Sequence, residues 1–185
     1  MAHSPWVESN GGPLLLLPEK LLSLWSGTEV PTDRHVEAVF RWHGGGPASD
    51  YDRACDVNEY VGILTVGAGW GLVIGDEPLP TCWISTDWGG LLARSVYAED
   101  DGAADGALES FPLELPWERR GEFSAVSSPL RLFDSADPGG DLLMPSTLVD
   151  LQPGSYDVAW ARYEPNAETA FTFIRLSRQR RMLRK

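Results

Sequence analysis

The chain has 185 residues, 43% of them hydrophobic and eight of them tryptophan, which is material for one domain with a real core and too apolar for wholesale disorder. No apolar run approaches the ~20 residues that span a bilayer, MAHSPWVESN lacks the basic and apolar regions of a secretory signal, and Cys55 and Cys82 make no disulfide framework. The net charge is −12, which repels nucleic-acid phosphates and anionic membranes and attracts basic proteins.

Together these properties imply a cytoplasmic protein with no membrane, nucleic-acid or cofactor partner. The charge is uneven. The last fifteen residues, FTFIRLSRQRRMLRK, hold six positive charges and no negative ones, so the rest carries 9 − 27 = −18. A frayed basic end is the plainer reading of that tail.

In chain order, Trp6 to Ser9 reads as a short strand stopped by Asn10-Gly11-Gly12-Pro13. Leu14 to Leu17 is a buried strand or the entry to a helix. Pro18 suits a first helical position, and EKLLSLWS follows with one apolar face up to Gly27. Residues 28–49 hold Pro31, the patch VEAVFRW and Gly44-Gly45-Gly46-Pro47, a long connection without a clear element. Ser49 caps a short helix from Asp50 to Val57, whose first-turn carboxylates suit the helix dipole.

Strand signals then dominate. VGILTVG and GLVIGD form a hairpin around Gly67-Ala68-Gly69-Trp70, and TCWIS and LLARSVYA are further strand candidates around Gly89-Gly90. Glu99 to Glu109 is acidic and rich in small residues, which predicts a mobile loop or linker. EFSAVSS, PLRLFDS, STLVDL, SYDVAWARY and TAFTFIRL are further strands, punctuated by DPGGD, QPGS and EPNAE. The pattern predicts an α+β chain, mainly β, with antiparallel sheets in a sandwich or meander and two or so short helices. It is a single domain over 1–185, within which two lobes, 1–98 and 109–185, would be joined by the acidic loop 99–108.

Familiar chemistry is sparse. His35, His43 and Cys55 match no zinc spacing. Gly67-x-Gly69-x-Gly71 would need a helix after it to hold a pyrophosphate, and a strand follows. Neither GxSxG nor a phosphate loop occurs. The carboxylates Asp50, Asp52, Asp56 and Glu59 lie close together, with Asp76 and Glu77 in a later turn, but no glycine sits at the sixth place an EF-hand requires. Asp52, Asp56 and Glu59 would share one helix face, a solvated acidic surface beside the glycine-flanked Trp70. These residues are the candidate contact for a basic partner, with Glu99, Asp100 and Asp101 as a second candidate. A carbohydrate-binding sandwich is the alternative, resting on the tryptophans, and a carboxylate-dependent hydrolase ranks after it.

WVESNGGPLLLLPEKLLSLWSG, DYDRACDV, YVGILTVGAGWGLVIGDEPLPTCWI and GGLLARSVYAED, over roughly residues 6 to 100, resemble the Imm21 family of bacterial immunity proteins. PLRLFDSADPGG followed by LQPGSYDVAW more loosely resembles a β-rich pattern of competence-type nuclease inhibitors. The segment from Thr28 to Ser49 and the basic tail have no place on the Imm21 pattern. The resemblance implies an antitoxin that binds a toxin domain of a polymorphic toxin system, with no catalytic residues. A nuclease is the likeliest target class by charge, because a site that holds phosphates is basic.

Overall fold

The structure, a computed structural model, describes residues 2–75, 78–109, 111, 112 and 114–179, with Asp101 described only by its place in a helix. Among these residues, ten strands and three short helices follow in chain order: β1 (Leu14–Pro18), a 3₁₀ helix (Glu19–Leu24), α1 (Asp50–Cys55), β2 (Gly62–Val66), β3 (Gly69–Ile74), β4 (Thr81–Thr86), β5 (Gly89–Tyr97), α2 (Asp101–Leu108), β6 (Glu118–Ala125), β7 (Leu130–Asp134), β8 (Thr147–Val149), β9 (Gly154–Asn166) and β10 (Thr169–Arg178). They build two antiparallel five-stranded sheets, in the orders β2-β3-β1-β7-β8 and β4-β5-β10-β9-β6. The mainly β, sandwich-like reading of the sequence is therefore met. Each sheet takes strands from both sides of residues 99–108.

The run of four leucines explains the layering. β1 is the central strand of its sheet, with β3 on one side and β7 on the other. Side chains alternate across a strand, so a strand covered on both faces reads as a continuous apolar run. Leu14 and Leu16 face the other sheet and join Leu72, Leu132, Trp83, Phe123, Val158 and Ile174 in the central core. Leu15 and Leu17 face outward, where Val73, Phe133, Trp25 and Ala54 close over them. Trp25 and Ala54 come from the 3₁₀ helix end and from α1, so this small helical layer exists because the outer face of β1 is apolar.

The opposite outer face is covered in the same way. Cys82, Ile84, Leu91, Ala93, Phe171 and Phe173 lie beneath Ala104 and Leu108 of α2 and beneath Phe111. Residues 99–109 are thus a docked helix over most of their length, not the mobile loop that their acidity and small residues suggested. Asp100 accepts a hydrogen bond from the Ala103 N–H at 2.8 Å as its N-cap. Ala104 and Leu108, four residues apart, share the buried face.

Two boundaries also shift. Residues 6–9 contribute only a single bridge, Val7 to Thr81. In the β2–β3 hairpin the turn is the pair Gly67-Ala68, with Gly67 at φ +57, so Trp70 lies on β3 opposite Thr65 rather than in the turn.

Leu16→Ala should lower the unfolding free energy by about 2–5 kcal/mol, because Leu16 is fully buried between two sheets that cannot collapse into the void. Urea denaturation measures it, and a loss under about 1 kcal/mol would contradict the layered core.

Candidate interaction surface

Residues 28–49 form neither helix nor strand, yet both ends of the segment are pinned together. The Tyr51 N–H donates to the Gly27 carbonyl at 2.9 Å, and the Ser26 N–H and hydroxyl donate to Asp50 at 2.9 and 3.0 Å. The chain leaves through Gly27 at φ +58, where an added Cβ would lie 2.3 Å from the Ala136 carbonyl oxygen. Only glycine fits there.

Within the loop so closed, the aspartates of α1 act as acceptors. Asp50, fully buried, is paired with Arg34 and, at 3.0 Å, with Arg53. Asp52, 3% exposed, forms a capping box with Ser49 and also takes the Trp42 N–H at 2.6 Å. Asp56, the helix C-cap, takes the N–H groups of Val39 at 2.5 Å and of Phe40 at 2.6 Å on its two oxygens. Such a charge-assisted bond contributes about 1.5–3 kcal/mol where it is shielded, as at Asp52, and less at the exposed Asp56 pair; together they tie down a backbone that has no ladder of its own.

This arrangement corrects the reading of a solvated carboxylate face on the helix. α1 ends at Cys55, so Asp56 caps it and Glu59 lies beyond it. Asp50 and Asp52 point inward, and they are two of four buried aspartates among the described residues. Asp134 likewise accepts the Asn10 and Ala136 N–H groups, and Asp137 those of Leu143 and Met144. Part of the chain's negative charge is therefore spent on organising loops.

The remaining sequence candidates are scattered. Glu59 is exposed and paired with Arg120 at 2.7 Å. Trp70 is 41% exposed on β3. Glu99 and Asp100 are exposed and line an open cavity of about 370 Å³ with Trp6, Tyr97 and Ala104. Asp76, Glu77 and the side chain of Asp101 lie outside the described residues. Among the described residues no group of three or more His, Cys, Asp or Glu is placed to hold a metal ion, and no helix is long and apolar enough to cross a membrane.

The feature that sequence reasoning left without a role is the outer side of the 28–49 loop. Val39 is 94% exposed, Phe40 41% and Trp42 55%. Trp42 leans edge-on against Tyr51, with ring centroids 5.6 Å apart and planes at 88°. A readable signal existed: an apolar patch, VEAVFRW, between a proline and a triple glycine, followed by closely spaced aspartates that could accept its amides.

Burial alone would raise the Asp52 pKa, but the N–H groups of Ser49 and Trp42 outweigh it and hold the carboxyl below its ordinary 3.8. A carboxyl depressed on folding stabilises fully above its unfolded value and loses that contribution as pH falls through the lower, folded one. Acid titration of stability should therefore show a loss below about pH 3.8 that Asp52→Asn diminishes; an unchanged acid limb would refute the assignment. Asp50→Ala should cost about 3 kcal/mol in denaturant unfolding, the low end for a broken buried pair because both guanidiniums reach solvent.

The family model described as Immunity protein 21 matches residues 5–169, a span that includes the 28–49 loop and stops short of the basic tail. No curated protein and no solved structure matches the chain. With nearly the whole described fold inside the matched span, the chain belongs to the Imm21 family of immunity proteins.

Proposed function

We propose that this Imm21 protein neutralises a cognate toxin domain by binding it directly, drawing in a basic toxin through its acidic exterior. Membership of an immunity family supports a toxin partner rather than a reaction of its own. The observation that carries the electrostatic part is the net charge of −12. Complementary charge steers encounter and raises association toward ~10⁸ M⁻¹s⁻¹ at low salt. A nuclease fits this best, since its active site carries positive charge to hold phosphates.

The sequence candidates divide under this reading. Glu59, Glu99 and Asp100, on the surface, are the groups that steer, with Asp76, Glu77 and Asp101 as further members, and Trp70 lies on the same exterior. Asp50, Asp52 and Asp56 contribute through the long-range field and through the loop they hold.

A small-ligand role is the second reading. It is favoured by a cavity of about 190 Å³ lined by Trp88, Leu91, Trp117, Arg175 and Ser177, with the Arg175 guanidinium 4.3 Å from the Trp117 ring centroid. That volume falls below the ~300 Å³ at which ordinary ligand pockets begin, which ranks it second. A glycan array read by tryptophan fluorescence separates the two readings.

Stopped-flow mixing with the C-terminal domain of the protein read from the neighbouring reading frame tests the first. The association rate should fall at least tenfold between about 20 and 500 mM salt, as steering is screened. Neutralising Glu59, Glu99 and Asp100 together should lower the low-salt rate; equal rates at both salts would rule out steering.

A further inference from the structure

We infer that Val39, Phe40 and Trp42 are the anchor of the toxin complex, an apolar tip that inserts into a hydrophobic cleft of the toxin domain. This rests on the immunity reading above and says where the binding energy resides within it. Steering and anchoring are then divided between different residues.

Three observations carry it. First, among the described residues these three exposed large hydrophobic side chains fall within four positions, the closest such grouping along the chain. Aromatic and large apolar anchors dominate the energetics of protein interfaces. Second, the backbone beneath them is already fixed, because the N–H groups of all three residues donate to Asp56 and Asp52. A tip ordered before binding loses little conformational entropy on docking. A loop stabilised only by apolar contact would instead fold these side chains inward.

Third, the local charge sets the partner's chemistry. Residues 28–49 hold Arg34 and Arg41 against Glu29, Asp33 and Glu37, or 2 − 3 = −1, in a chain of −12. The complement of this tip is an apolar cleft with positive charge around it rather than within it. A second copy of the chain is a poor occupant, since two bodies of −12 repel each other.

The test is surface plasmon resonance with the C-terminal domain of the protein read from the neighbouring reading frame immobilised as the probe. Phe40→Ser combined with Trp42→Ala should raise the dissociation rate at least about 30-fold, with the association rate and its salt dependence unchanged. The thermal midpoint of the free variant serves as the check on folding. Asp56→Ala keeps all three side chains but removes the acceptor for two of their amides, and it should also speed dissociation. Wild-type dissociation by the double variant would overturn the inference while leaving the immunity reading standing. Failure of the wild type to bind would overturn that reading and the anchor with it. A wild type that self-associates, and that the double variant renders monomeric, would assign the tip to a second copy and overturn the toxin assignment.

Discussion

A backbone N–H outside any helix or strand must take its acceptor from a side chain, a loop carbonyl or water, and residues 28–49 form neither element. The protein meets that constraint with aspartates. Asp50, Asp52 and Asp56, spaced along one short helix, accept from Ser26, Trp42, Val39 and Phe40 and close the loop onto α1. The shape of the surface on this side of the molecule follows from those few bonds.

The helix that carries them is held in turn by the sandwich. Ala54 packs with Trp25 and Phe133 over Leu15 and Leu17, the outward half of the doubly covered central strand. Trp25 also donates its indole N–H to the Ser135 carbonyl at 2.9 Å, which ties the 3₁₀ helix end to the segment after β7. Packing therefore places α1, and α1 places the loop. A chain with so much irregular backbone spends aspartates where a helical protein would spend caps, and Asp134 and Asp137 repeat the device on other loops.

The strands were legible because period-two patterning and glycine turns are local signals. The hairpin joining VGILTVG to GLVIGD, the strand TCWIS and the Ser49 cap are all of this kind, although the turn after TCWIS is Asp87-Trp88 and Gly89-Gly90 already belong to β5. Leu14 to Leu17 stayed ambiguous because a strand buried on both faces loses its alternation. The α2 segment was misread because its glycines and aspartates outweighed the Ala104–Leu108 stripe, which counts only once a sheet lies beneath it. The carboxylate cluster was misread for a deeper reason. Spacing reveals that acidic residues are neighbours, but not whether their oxygens meet solvent or a backbone amide elsewhere in the chain.

That distinction alters what net charge means here. Among the described residues four aspartates are buried and contribute to the long-range field without presenting a contact surface, so under the proposed function attraction and adhesion fall to different parts of the molecule. The α1 aspartates hold the loop backbone, and amide hydrogen exchange of Val39, Phe40 and Trp42 in the native protein tests this directly. The account predicts protection of at least ~100-fold over an unstructured chain at all three amides, lost at Val39 and Phe40 in Asp56→Ala. Exchange at unstructured rates while the β1 amides stay protected would contradict it.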